Sequence, residues 1–234
     1  MKTYAIILAG GRGNRMQSDT PKQYLDLCGK PLLFYPIKTF SDWGVDEIIL
    51  VCGSGDEEFC RKTFIEQYGF SKITHIVPGG KERYHSVYQG LSVIEDPDGI
   101  VMIHDGARAF VTKEVIEACY QDACQYASGV AAVPAKDTIK VADADGMVVD
   151  TPKRSSLYQV QTPQTFPVNK IKAAYETCIL KEKELKKQGV QITDDSMIAE
   201  YFTKQPVKLS KGDYSNIKVT TPEDLLFGKL LVEK

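Results

Sequence analysis

Short apolar runs alternate with longer stretches of helical period along most of the chain. Tyr4–Ala9, Glu47–Cys52, Ile73–Val77, Ile100–His104 and Gly129–Val133 are rich in small and branched apolar residues. Glycine, proline, aspartate or charge bounds each run, as around strands buried on both faces. Between them, Pro31–Phe40, Asp56–Gln67, Tyr84–Ile94 and Lys113–Tyr126 carry the period of amphipathic helices. The alternation predicts βαβ units, and so an α/β three-layer sandwich with a mostly parallel central sheet. Ligands of such sheets sit beyond the carboxyl ends of the strands. That directs attention to the residues just after Ala9, Val77 and His104.

Residues Asp137–Gln161 break the alternation. Thr138–Val141 and Met147–Thr151 read as short strands, with Asp143-Ala-Asp-Gly146 as the turn between them. This inserted β-hairpin has no partner in the main alternation, so it caps the domain or reaches a second subunit. Asn169–Lys187 follows as a long helix with Ile171, Ala174, Tyr175, Cys178 and Leu185 on one face, then a shorter helix over Asp194–Tyr201. Thr221 as N-cap, Pro222 at the first helical position and Glu223-Asp224 in the first turn open a last helix. With no repeat and no low-complexity linker, residues 1–234 read as a single domain.

Composition narrows the function classes. The 234 residues are 43% apolar and 26% charged, with a formal net charge of -2 and no concentrated Lys/Arg run. Nucleic acid and membrane surfaces are therefore not expected as main partners. Six cysteines without a C-x-x-C pair read as reduced thiols, and three histidines lack zinc spacing. The Tyr4–Ala9 run is too short for a secretory leader or a membrane span. The expectation is a soluble, cytoplasmic protein.

The first candidate for chemistry is Leu8-Ala-Gly-Gly-Arg-Gly-Asn-Arg-Met16, directly after the first strand. A glycine-rich loop there lets backbone N–H groups approach phosphates. A dinucleotide fingerprint fails because Met16 stands where its last glycine belongs, and a P-loop fails because Gly29-Lys30 is followed by Pro31. Arg12, Arg15 and Lys22 crowd the same stretch, which favours a nucleoside triphosphate site over a plain surface loop. Lys22, after Pro21, is expected on extended backbone. Asp105, at a strand end in His104-Asp-Gly-Ala-Arg108, suits a metal ion or substrate hydroxyls, but taken alone it is better explained as a cap of the next helix or a partner of Arg108. Gly79-Gly-Lys-Glu-Arg-Tyr-His-Ser86 offers backbone groups and the Ser86 hydroxyl to a base edge, or serves as a cap and turn. Lys218, between Ile217 and Val219, faces either solvent or a cavity mouth.

Taken together, Leu8–Lys22, His104–Arg108, Asp137-Thr-Ile-Lys140, Gln161–Phe166, Thr193–Asp195 and Asn216–Asp224 resemble, in order, the motifs of the methylerythritol-phosphate cytidylyltransferases of isoprenoid precursor synthesis. The resemblance spans nearly the whole chain. It implies a Rossmann-like domain whose arm, residues 137–161, mediates dimerisation. It implies that Arg15 and Lys22 stabilise the transition state at the α-phosphate of CTP. Ala9, Gly10, Gly11, Gly80 and Ser86 would hold the cytosine and its surroundings, and Asp105 would contact the ribose or the sugar phosphate near a divalent cation such as Mg²⁺. Thr193, Lys218 and Arg108 would bind the polyol phosphate, while Thr138 and Arg154 would reach across a homodimer into the partner's site. Lys218 and Arg154 would set the acceptor in line. The Leu8-Ala-Gly-Gly11 form instead resembles the ribitol-phosphate cytidylyltransferases, whereas Thr193-Asp-Asp195 and Asp137–Lys140 favour the erythritol enzymes. A non-catalytic CTP-binding module would bind CTP without releasing pyrophosphate; Arg15, Lys22 and Lys218 speak against it.

The chemistry expected is phosphate attacking phosphate. The acceptor is already an anion and needs no general base. The difficulty is electrostatic, so positioning and cations carry the reaction.

Overall fold

In a computed structural model, described over residues 1–11 and 20–232, the predicted alternation becomes a seven-stranded sheet between two helical layers. The chain begins with β1 (Thr3–Ala9). A two-residue ladder follows, β2 (Asp26–Leu27) with β3 (Lys30–Pro31), then α1 (Phe34–Trp43), β4 (Glu47–Cys52) and α2 (Glu57–Cys60), which runs on as a π-helical stretch, Arg61–Gln67. Next come β5 (Ile73–Pro78), α3 (Arg83–Ser92), β6 (Ile100–Asp105), α4 (Lys113–Tyr126) and β7 (Gly129–Pro134). The inserted segment holds β8 (Val141–Ala142) and β9 (Val148–Asp150). The remainder is β10 (Tyr158–Pro167), α5 (Val168–Leu180), α6 (Glu182–Lys187), α7 (Asp195–Thr203), β11 (Leu209–Lys211) and α8 (Pro222–Val232).

Strand order is β11-β7-β10-β6-β1-β4-β5. All neighbours are parallel except β10, which runs antiparallel to both β6 and β7. Alternation along the strands divides the core. Ile6, Ile49, Val51, Val101 and Ile103 face α3, α5 and α7, while Ile7, Ile48, Leu50 and Met102 face α1, α2 and α4. Both faces are covered, which is why these strands read as unbroken apolar runs.

Four expectations are corrected. Pro31 belongs to β3 and not to a helix: Cys28 and Gly29, with φ of 52° and 79°, close a two-residue turn that delays α1 to Phe34. The long helix over Asn169–Lys187 breaks at Lys181 (φ -95°, ψ 6°), which lets Glu182 meet Tyr84 and His85 of α3. The arm's strands are shorter than expected. The last residues assigned to the arm, from Tyr158 on, already pair with β7. β10 was not expected at all, because Gln161-Thr-Pro-Gln164 is polar and contains a proline. Pro163 fits a central strand because it sits where the register with β7 shifts between Val160 and Gln164.

Gly90 lets α3, which carries two cleft side chains, lie close on the sheet. A Cβ at Gly90 would stand 2.8 Å from Ile6 Cγ2 and 3.2 Å from Val51 Cγ2. Gly90→Ala should therefore destabilise the protein by ~1–3 kcal/mol in urea melts, as overpacking does. A helical glycine without such neighbours would gain ~0.5–1 kcal/mol from the same change, so the sign of the shift decides.

Candidate active site

Three parallel strands end together. Gly79 N–H donates to Cys52 O at 2.8 Å, and Gly106 N–H donates to Leu8 O at 2.9 Å. The loops after β1, β5 and β6 thus meet at the carboxyl edge of the sheet. The cleft between them is lined by Gly10, Gly11, Lys22, Gln23, Gly80, Arg83, Ser86, Asp105 and Lys218, among others. It continues past Gly10, Gly11 and Gly80 toward Gly53, Ser54 and Asp56. Gly80 is sterically required, since a Cβ there would stand 2.3 Å from His85 Cβ; a Cβ on Gly10 would make a tight approach of 3.3 Å to Cys52 O. Gly80 N–H donates to Ser86 Oγ at 3.0 Å.

Lys22 opens a 3₁₀ turn, Lys22–Tyr24, rather than lying on extended backbone. Pro21 restricts the residue before it, not the one after, and Tyr24 N–H closes the turn on Pro21 O at 2.9 Å. The turn is pinned from below. The buried Gln23 amide donates to Ala9 O, and Tyr24 donates to Asp56 Oδ2 at 3.2 Å. Lys22 Nζ reaches Val219 O at 3.2 Å. That carbonyl is adjacent to Lys218, so two lysines 196 positions apart meet in one cleft, as expected.

Lys218 lies in an irregular segment between β11 and α8, not in a strand. Anchors on both sides fix it: the fully buried Asn216 donates to Thr162 O at 2.9 Å, and Val219 N–H donates to Ala107 O at 2.9 Å. Lys218 Nζ then donates to Asp105 Oδ2 at 2.7 Å. The other carboxylate oxygen, Oδ1, accepts from Arg83 Nε at 3.0 Å. The two remaining Arg83 nitrogens form a bidentate pair with Asp195, each bond 2.8 Å long, and Tyr175 donates to the same carboxylate. Asp195 is fully buried. Burial by itself would raise the Asp105 pKa, but the charges of Arg83 and Lys218 outweigh it and hold the carboxyl well below its usual range.

Behind Asp105, His104 is fully buried and its tautomer is set. Nε2–H donates to Arg108 O at 3.1 Å, so Nδ1 accepts from the Thr162 hydroxyl at 3.0 Å, and Asp105 N–H donates to Thr162 Oγ1 at 3.0 Å. Arg108 donates to Asn216 O at 2.7 Å. It braces the Lys218 segment from behind rather than lining the cleft. Thr193 is exposed, two residues before Asp195. Thr138 and Arg154 are exposed on the arm and do not line their own chain's cleft; Arg154 donates to Lys136 O at 3.2 Å. Arg15 lies outside the described residues. Asp105 is poorly suited to the metal role expected of it, since both its oxygens already accept from cations. Among the described residues no three His, Cys, Asp or Glu side chains form a set that would hold a metal ion.

The Arg83–Asp195 pair, Gln23 and Thr162 were not anticipated. A signal for the pair was present in the sequence: Asp195 shares a helix face with buried Ile198 and Ala199, and a buried acid requires a cation.

The comparisons with known proteins agree with one another. The family profile described as "IspD: 2-C-methyl-D-erythritol 4-phosphate cytidylyltransferase" matches residues 3–234. A protein of that name from Clostridium botulinum (strain Eklund 17B / Type B) is 46% identical over 98% of this chain and 99% of its own. Another, from Caldanaerobacter subterraneus, is 43% identical over the full length of both. The crystal structure of 4-diphosphocytidyl-2C-methyl-D-erythritol synthase from Anaerococcus prevotii superposes with a TM-score of 0.84 at 33% identity, covering 100% of this chain and 99% of that one.

His104 makes acid stability a test of this geometry. Burial lowers its pKa to about 4, against about 6.5 when unfolded. The unfolded chain therefore takes up the proton first as pH falls, and stability present above pH 6.5 is lost progressively toward pH 4. The loss should reach roughly 2–2.5 kcal/mol between pH 7 and 4.5. Urea melts of His104→Gln should show a stability–pH slope in that window shallower by close to one proton; an unchanged slope would mean that His104 is not buried as a neutral ring.

Proposed function

The chain belongs to the 2-C-methyl-D-erythritol 4-phosphate cytidylyltransferase family, and from that premise we propose how its cleft performs the reaction. The protein is a nucleotidyltransferase of isoprenoid precursor synthesis. It joins CTP to 2-C-methyl-D-erythritol 4-phosphate, giving the CDP-polyol and pyrophosphate. A ribitol-phosphate acceptor is not favoured, since these relatives bear the erythritol enzyme's name over the whole chain.

CTP lies along the glycine edge, its base side toward Gly80 and Ser86 and its phosphates toward Gly10, Gly11 and Lys22. An oxygen of the acceptor phosphate attacks the α-phosphorus, and the bond to the β-phosphate bridging oxygen breaks in line, releasing pyrophosphate. No proton has to be removed from the nucleophile. Lys22 and Arg15 neutralise charge gathering on the α-phosphate and the leaving group. Lys218 grips the acceptor phosphate, with Thr193 at the same end and Asp105 available to hydroxyls. The observation that carries this reading is the meeting of Lys22 and Lys218 in one cleft. The described residues do not fit a resident metal, so a divalent ion such as Mg²⁺ is assigned to the triphosphate, with which it enters largely hydrated.

Residues 1–234 form one nucleotidyltransferase domain, with the arm as its insertion. Ile139, Val141, Met147, Val148 and Val149 are all exposed on the arm, Met147 by 68% and Val149 by 61%. An isolated two-stranded hairpin is marginal in water. Both facts support a homodimer in which the arm is covered by a second copy and brings Thr138 and Arg154 to the partner's acceptor site. Among the described residues no helix is long and apolar enough to cross a membrane. All six cysteines are free thiols, which supports the cytoplasmic setting.

Pyrophosphate release from CTP, assayed with erythritol and ribitol acceptors in parallel, tests the function; preference for the ribitol phosphate would contradict it. In the same assay Lys22→Ala should lower kcat by ~10²–10³, or roughly 3–4 kcal/mol, with CTP affinity less affected. Normal turnover at saturating CTP would reduce Lys22 to a surface charge. Mixing Arg154→Ala with Lys22→Ala protein should restore part of the activity through hybrid dimers. No recovery, with hybrids shown to form, would place Arg154 outside the partner's site.

A further inference from the structure

Asp105 is shared between two cations that are held very differently. Arg83 cannot leave. Its Nε is on Asp105 Oδ1, and its other two nitrogens clamp Asp195, which is fully buried and also receives the Tyr175 hydroxyl. Lys218 is the exposed member: its side chain is 39% exposed, against 12% for that of Asp105, and it bonds the other oxygen, Oδ2. The four charges sum to zero. Arg83 answers Asp195 and still takes part of the charge of Asp105, so Lys218 neutralises only the remainder.

We infer that Arg83 is a positioning residue for the acceptor: by holding the charge of Asp105 from behind, it frees the Lys218 ammonium to pass from that carboxylate to the acceptor phosphate. The inference rests on the reading of Lys218 given above. When an anion enters the cleft, Lys218 has to share or give up its bond to Asp105. With Arg83 in place, the carboxylate left behind keeps a hydrogen-bonded counter-charge on its other oxygen. Without Arg83, withdrawal of Lys218 would strand a buried carboxylate, which is strongly unfavourable. The lysine would then stay on Asp105, and the acceptor would lose its partner. The use of separate oxygens matters, because Lys218 can depart without disturbing the bond to Arg83.

Steady-state kinetics of the full chain, varying methylerythritol phosphate at saturating CTP and then the reverse, tests this. Arg83→Gln should raise the KM for methylerythritol phosphate about tenfold or more and leave the KM for CTP within about threefold. Adding Asp105→Asn in the Arg83→Gln background should recover much of the lost acceptor affinity, because Lys218 no longer faces a charge. A parallel rise in both KM values, or no recovery in the double variant, would overturn the inference and leave Arg83 a structural brace. Lys218→Ala separates the two ideas. If it leaves the acceptor KM unchanged, the Lys218 assignment fails; if it raises that KM while Arg83→Gln does not, only the role of Arg83 fails. Should Arg83→Gln not fold, as judged by circular dichroism, Arg83→Gln/Asp195→Asn removes both charges of the buried pair and carries the same expectations.

Discussion

One carboxylate held between two cations organises this cleft. Asp105 sits at the end of a central strand, buried, with Lys218 on one oxygen and Arg83 on the other. Neither cation comes from the neighbouring sequence. Arg83 opens a helix 22 positions upstream, and Lys218 stands 113 positions downstream. A buried charge without partners would not be tolerated, so folding itself has to bring these segments together. The reaction needs cations gathered around two phosphates, and the same gathering serves the fold.

The sheet supplies the frame. Parallel strands with both faces covered end at one edge, and the turns after β1, β5 and β6 open there. The antiparallel strand β10 contributes differently. Running against its neighbours, it brings Thr162 beneath Asp105 and His104, and Gln161 and Thr162 beneath Asn216. The backbone of Asp105 and the Lys218 segment are thus both referred to Thr162. A strand that looks polar in sequence is polar because its side chains tie the site together, and this work left little of the apolar pattern that identifies a buried strand.

Much of the architecture was legible. The five apolar runs became strands within a residue or so of their expected limits, since a strand buried on both faces can be little else. Gly10, Gly11 and Lys22 could be named from residue type and place, Asp105 and Lys218 from the family resemblance, and all five line one cleft. What was not legible depended on partners distant in sequence. Arg83 looked like part of a turn, although it shares a helix face with Ser86, Val87 and Gly90. Asp195 stood in sequence only as part of the Thr193-Asp-Asp195 motif at the start of a helix, where Asp194 accepts the capping bond from Met197. Only the fold shows that each is the other's counter-charge. The arm was recognisable as an insertion, but its far boundary was not, because nothing local marks where Tyr158 rejoins the sheet.

The central claim is that Lys22 and Lys218 serve two different phosphates across one point of attack. A crystal structure with a non-hydrolysable CTP analogue and methylerythritol phosphate bound together tests it most directly. Expected are the Lys22 ammonium on the triphosphate, the Lys218 ammonium on the acceptor phosphate, and an acceptor oxygen aligned with the α-phosphorus opposite the leaving pyrophosphate. An acceptor phosphate bound away from Lys218, or a triphosphate lying outside the glycine edge and Lys22, would contradict it.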